Sequence, residues 1–116
     1  MEVQAITHNI RMSAQKMREV VRQIQGLPAV QAQAVLAVVP RKGARIVSKT
    51  LQSAMANAED QARNGKFTAV APEKLIVRLA VAGTAGSIKR FVPKARGSAG
   101  PILKRSCHVK IVLSDE

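Results

Sequence analysis

The sequence predicts an α+β fold: three helices packed on a small three-stranded antiparallel sheet, with a long β-hairpin protruding from it. Two observations carry that expectation. Helical periodicity is confined to one continuous stretch, with β-type alternation before it and again in two runs after it. Those two late runs are separated by a Gly- and Pro-punctuated segment, Gly83 to His108, that is too poor in large apolar residues to build its own core.

Val3 to Met12 reads as the first strand, with Ile6, Ile10 and Met12 on one face and polar His8 between them. Ser13 fits a helix N-cap, because its hydroxyl can accept from the free N–H groups of the following turn. Met17, Val20, Val21 and Ile24 then recur at the spacing of an amphipathic helix stripe. Gly26 stops that helix and Pro28 starts the next element. Ala29 to Val39 forms a short Ala/Val/Gln helix closed by Pro40. A longer helix spans about Arg41 to Asn64, with an inner stripe of Ala44, Val47, Leu51, Ala54, Met55, Ala58 and Ala62. Most of those side chains are small and permit close approach. Asn64-Gly65 ends the helix, and a loop holding Pro72 runs from Lys66 to Glu73.

Leu75, Val77, Leu79 and Val81 alternate, with Arg78 turned outward, as in a half-buried strand. Val109, Ile111 and Leu113 do the same near the C-terminus. So long a connection between two paired strands is uncommon unless it is functional. A disordered loop is one reading; an antiparallel ribbon is the one favoured here. Ile88, Phe91 and Val92 would meet Ile102 and Leu103, with a turn around Ala95 to Gly100 and arms reaching on the order of 30 Å at about 3.3 Å per residue. An isolated two-stranded ribbon is marginal in water, so a binding partner would make it rigid.

At 116 residues the chain is expected to be one domain, 1–116, with 83–108 as its extended basic arm. Its charge is the strongest functional signal. Nineteen Lys and Arg oppose seven Asp and Glu, a net +12. Such an excess repels itself unless a polyanion neutralises it. Nine of the basic residues lie between Lys74 and Lys110, where no acidic residue occurs, and the remainder of the chain is only +3. A second group, Arg11, Lys16, Arg18 and Arg22, sits on the first strand and helix; a third, Arg41, Lys42, Arg45 and Lys49, opens the long helix. Three separated groups fit several phosphate segments at once, Arg as a bidentate fork and Lys as point charge. Phe67 and Phe91 are the only aromatic rings of the Phe, Tyr or Trp kind. Base-stacking platforms need more, so recognition by shape and backbone is the expected mechanism.

Other classes fit less well. Duplex DNA is allowed by charge, but no helix-turn-helix or zinc-finger pattern appears. An anionic membrane surface would call for a basic amphipathic helix, whereas the charge favours the Gly/Pro-rich arm. No apolar run approaches the roughly 20 residues that span a bilayer, and polar Gln4, Thr7, His8 and Asn9 interrupt any signal-peptide core, so an intracellular protein is expected. Cys107 is the single cysteine, which excludes an internal disulfide or a Cys-rich zinc site. Cys107 and His108 are adjacent, yet neighbours on a strand point to opposite faces and would not share a hydrogen bond. Gly83-Thr84-Ala85-Gly86-Ser87 lacks the spacing of a phosphate loop. No catalytic site, metal site, cofactor or small-molecule substrate is expected.

Three stretches carry a family resemblance: Arg11-Met12-Ser13 through Lys16-Met17-Arg18; Ser53-Ala54-Met55-Ala56-Asn57-Ala58; and Lys89-Arg90-Phe91-Val92-Pro93-Lys94-Ala95-Arg96-Gly97 continuing to Lys104-Arg105-Ser106-Cys107-His108-Val109. In this order, over essentially the whole chain, they resemble the bacterial large ribosomal subunit protein L22 family. The resemblance implies a structural, non-enzymatic cytoplasmic protein within the ribosome that binds 23S-type rRNA and aids subunit assembly. It also implies neighbouring large-subunit proteins as partners and a hairpin that lines the nascent-peptide exit tunnel. By position, Lys89, Arg90, Lys94, Arg96, Lys104 and Arg105 would contact rRNA. Arg11, Lys16 and Arg18 would seat the body, with Arg41, Lys42, Arg45 and His108 as further rRNA contacts. The tip, Pro93, Lys94, Ala95, Arg96, Gly97 and Ser98, would face the nascent peptide. Two positions depart from the family pattern: Ser98 stands where a second Arg often follows Arg-Gly, and Cys107 where Thr or Ser is common.

Overall fold

Cys107, Val109, Ile111 and Leu113 are all removed from solvent, and the strand that carries them is hydrogen-bonded on both sides. The computed structural model describes residues 2–65 and 74–115. In chain order the elements are β1 (Glu2–Ile10), α1 (Ala14–Val21), α2 (Ala29–Val38), α3 (Lys42–Arg63), β2 (Ile76–Thr84), β3 (Ile88–Pro93), β4 (Ala99–Lys104) and β5 (Cys107–Ser114). The main sheet is antiparallel in the order β1-β5-β2, and β3 pairs with β4 as a separate ribbon. The expected α+β class therefore holds, three helices on a three-stranded sheet. The loop Lys66 to Glu73 lies outside the described residues.

Helix starts follow local chemistry. The Ser13 hydroxyl accepts from Lys16 N–H at 3.4 Å, as its N-cap position predicted. Met17, Val20 and Val21 turn inward, and Ile24 is equally buried although α1 has already ended at Val21. Gly26 follows at φ +85°, a conformation that L side chains rarely adopt. From there residues 26–29 run along the outer edge of β2. Gly26 and Ala29 donate to the Val77 and Leu75 carbonyls at 2.8 Å, and Val77 donates back to Leu27. The start of that edge is thereby covered. The inner stripe of α3 buries Ala44, Val47, Leu51, Ala54 and Ala58 against β1 and β5, while Met55 and Ala62 are only partly covered.

Two β-bulges overturn the expected strand faces. In β1 the register shifts between Thr7 and Ile10, and Asn9 takes φ 55°. Val3 and Ala5 point to the core before the shift and Ile10 after it, so Ile6 lies on the other face, 43% exposed. The expected strand end at Met12 also falls short, since β1 stops at Ile10. In β2 the register shifts between Val77 and Leu79. Leu75 and Val77 are buried, but beyond the bulge Ala80 and Ala82 turn inward and Leu79 and Val81 outward. An extra residue reverses which alternate side chains meet the core, and no period-2 reading anticipates it.

The expected antiparallel ribbon forms, Ile88 opposite Lys104 through to Pro93 opposite Ala99. Ile102, however, stands opposite Arg90 and Leu103 opposite Lys89, so the apolar side chains expected to meet are at most diagonal neighbours. Each strand has six residues, so its length is about 20 Å at 3.3 Å per residue, shorter than the 30 Å expected for each full arm. The chain's radius of gyration is nevertheless 17.5 Å, against about 13 Å for a compact chain of this size.

Gly43, in the first turn of α3, is buried against Met12 and Met17. A Cβ there would lie 3.0 Å from Met17 Sδ and 3.2 Å from Met12 Sδ. Gly43→Val should lower stability by about 1–3 kcal/mol through overpacking. Urea denaturation measures it, and an unchanged midpoint would show that the methionines yield freely.

Candidate nucleic-acid interface

The ladder that joins β2 to β5 ends near Ala85, whose N–H reaches the Ser106 carbonyl at 3.1 Å. It resumes at Ile88 opposite Lys104. At the break, where Gly86 and Ser87 face Arg105, a cleft of about 960 Å³ opens between the root of the ribbon and the end of β1. Four cations line it: Arg11, Arg90, Lys104 and Arg105. No acidic side chain does. Strand parity explains the ribbon's share, because Ile88, Arg90, Ile102 and Lys104 occupy one face in the observed register. Ser13, Ser87 and Ser106 add hydroxyl groups, and Asn9 a side-chain amide. Such a surface offers bidentate forks, a point charge and neutral donors to an anion carrying several oxygens.

Arg11 also lines a second depression of about 370 Å³ with Lys42 and Lys49, at the start of α3. The arm-root group and part of the α3 group therefore meet through Arg11. Lys16 and Arg45 are exposed but line neither depression. Arg18 is exposed, and its Nε donates to the Ala82 carbonyl at 3.1 Å, close to where the arm leaves the body. Arg41 is held by Glu19 at 3.2 Å. The remaining ion pairs among the described residues join Arg63 to Glu59 and Arg78 to Glu2, so none involves the arm. Charge there is left for a partner.

His108 is half-buried, and its Nδ1 accepts from Asn9 N–H at 3.0 Å. That bond supports the β1 bulge and leaves Nε2 as the proton-bearing nitrogen, so the ring offers one donor, not two. Its neighbour across the sheet is His8, ring centroids 5.0 Å apart and edge-on. Sequence reasoning missed this structural duty; the polar pair at positions 8 and 9 beside an apolar strand was the available hint. Asn9, Ser13, Ser87 and Ser106 were equally missed as lining groups, because only the fold gathers them.

At the tip, Lys94 N–H donates to the Ser98 carbonyl at 2.6 Å and the Ser98 hydroxyl donates to the Ala95 carbonyl at 2.8 Å. Arg96 and Gly97 both take positive φ, 61° and 75°, so the turn Ala95–Gly97 is left-handed at these two residues. Ser98 thus closes the turn that presents Arg96 to solvent. On the ribbon's other face Lys89 Nζ stands 5.6 Å from the Phe91 ring centroid, and Phe91 is 68% exposed. Ile88, Val92, Ile102 and Leu103 are also exposed, each by less than half of its surface.

A family model described as ribosomal protein L22p/L17e matches residues 5–114. The large ribosomal subunit protein uL22 of Opitutus terrae is 49% identical over 99% of this chain and 96% of its own length. The uL22 proteins of Methylacidiphilum infernorum and Akkermansia muciniphila are 43% and 40% identical over the whole of this chain, covering 96% and 98% of theirs.

Cys107 shares none of the polar surface. It is fully buried, and burial raises its thiol pKa above the ordinary 9.0. Below pH 9.0 the thiol is protonated in both folded and unfolded chains. Above it the unfolded chain loses the proton first, so stability should fall as pH climbs toward the raised native value. Denaturation midpoints from pH 8 to 10.5 should therefore drop further for the native chain than for Cys107→Ala. A colorimetric thiol reagent should also react about a hundredfold faster after unfolding. Equal rates would show the thiol is accessible.

Proposed function

Since the chain belongs to the ribosomal protein L22p/L17e family and is a protein of the large ribosomal subunit, not an enzyme, we propose that its arm and the cleft at the arm's root bind large-subunit rRNA of the 23S type. The observation that carries this is the cleft itself: four cations from three segments of the chain with no carboxylate among its lining residues. Converging charge of one sign in a groove focuses field on a polyanion. The contacts are Arg11, Arg90, Lys104 and Arg105 in the cleft, Lys89 and Lys94 along the ribbon, and Arg96 at the tip. Lys42 and, outside the two depressions, Lys16, Arg18 and Arg45 extend the surface over the body. Arg41 contributes after releasing Glu19, and His108 through Nε2.

The 1–116 chain acts as one domain with 83–108 as its arm. Exposed apolar side chains on both faces of the ribbon, Ile88 and Ile102 on one and Phe91 and Leu103 on the other, support a partner that surrounds it. Folded RNA does so and neutralises the charge. RNA binding orders the arm, brings RNA segments together during subunit assembly, and places Pro93 to Ser98 along the peptide exit tunnel, beside the nascent peptide. Neighbouring large-subunit proteins complete the surroundings of the body. The protein works in the cytoplasm as part of the ribosome.

Replacing Arg90, Lys104 and Arg105 together by Gln tests the cleft. Filter binding to a large-subunit rRNA transcript, repeated across salt concentrations, should show weaker binding and a log–log salt slope shallower by about two to three units, close to one per lost phosphate contact. Unchanged affinity and slope would remove the cleft from the interface.

A further inference from the structure

We propose that the open face of the main sheet docks an apolar segment of another protein, one that carries a carboxylate to meet Lys110. The inference adds a protein-facing surface to the RNA reading and does not depend on the arm.

The face is assembled by the two bulges. Pairing places Ile6, Lys110 and Val81 in one row across β1, β5 and β2, and Gln4, Val112 and Leu79 in the next. Ile6 is 43% exposed, Val81 40% and Leu79 37%. The helices cover the opposite face, where β2 presents Ala80 and Ala82. An antiparallel sheet with one solvated face ordinarily turns polar side chains to water and large apolar ones inward. Beyond its bulge β2 does the reverse, exposing Leu and Val while burying two alanines. Covering the exposed side chains recovers free energy in proportion to apolar area, which the chain alone forgoes.

A groove of about 450 Å³ lies on this face, with Leu79 and Val112 in its lining and Lys110, Arg78 and Glu2 beside them. Its charge selects the occupant. Arg78 is already paired with Glu2 across the sheet. Lys110 has no ion pair among the described residues and stands half-buried between Ile6 and Val81. One unpaired cation in an apolar row matches one carboxylate on an apolar segment. RNA would meet a single unpaired cation here, against four in the arm-root cleft, and would leave the apolar row uncovered. A second copy stacked about the middle of the face would oppose Lys110 to Lys110.

The test is site-specific photocrosslinking from a benzophenone amino acid at position 79 of the full chain, assembled into large ribosomal subunits. Nuclease and protease digestion with mass spectrometry then identifies the attached fragment. The expected fragment is a peptide of another protein, apolar and with Asp or Glu within a few residues of the crosslink. Adding Lys110→Glu should cut the yield about tenfold by setting like charges together, while Lys110→Arg preserves it. A crosslink to RNA or to a second copy, or no crosslink, would overturn the proposal. So would a peptide lacking a carboxylate, or a yield indifferent to Lys110→Glu in a variant whose melting curve is unchanged. Should Lys110→Glu fail to fold, the fragment attached in the presence of the native Lys110 decides alone.

Discussion

Burial of the inner face of β5 is the contact on which the other elements depend. Val109, Ile111 and Leu113 are fully enclosed, and each such side chain is worth about 1.5–3 kcal/mol relative to exposure. The same strand supplies both ladders of the main sheet, so β1 and β2 have no sheet without it. It also receives the chain returning from the arm. Gly83 pairs with His108 and Thr84 with Cys107 before the ladder breaks. The register of β5 against β2 therefore sets where the arm leaves the body and which way its faces turn. Rigidity in the body becomes placement of charge in the arm.

That placement has an electrostatic cost. Nine cations without one acid between Lys74 and Lys110 repel each other, and among the described residues no helix or second sheet packs behind the ribbon. Its apolar side chains cannot offset this, because a two-stranded ribbon leaves both faces to solvent. Ile88, Val92 and Ile102 are on one face, Phe91 and Leu103 on the other. What holds the ribbon in register within the chain is local: its own β3–β4 ladder, the Lys94–Ser98 and Ser98–Ala95 hydrogen bonds at the tip, and Gly97 at positive φ. A polyanion that fills both sides supplies the missing terms at once, neutralising the cations and removing the apolar side chains from water. The arm's composition is ill suited to a free hairpin and well suited to an enclosed one.

Local signals were legible in the sequence because they act over a few residues. Ser13 capped α1, Gly26 and Gly65 took positive φ after α1 and α3, and the Ile88–Val92 arm met the Ile102–Leu103 arm around the expected turn. The cations of the site were legible too, since acid-free stretches need no fold to be noticed. Their grouping was not. Arg11 lies far in sequence from Arg90 and Arg105, yet the three line one cleft, because β1 ends beside the point where the β2–β5 ladder breaks. Arg41, expected among the free cations, is instead engaged by Glu19 from α1. Neither fact is written in spacing, because the first comes from the pairing of β1 and β2 with β5 and the second from α1 lying against the start of α3.

The wrong strand faces have one cause and a common consequence. Period-2 reading assigned Ile6 with Ile10, and Leu79 and Val81 with Val77, because size and apolarity argue for burial. A bulge in each edge strand cancels that argument by inserting a single residue. Straightening β2 would carry Leu79 and Val81 inward and displace Ala80 and Ala82, adding bulk to a core that α1 already fills against β2. The alanines let helix and strand approach closely, and the bulge brings them to that position. Exposure of Ile6, Leu79 and Val81 on the opposite face is then the geometric counterpart of close packing on the first. The larger side chains stand where a second molecule can reach them.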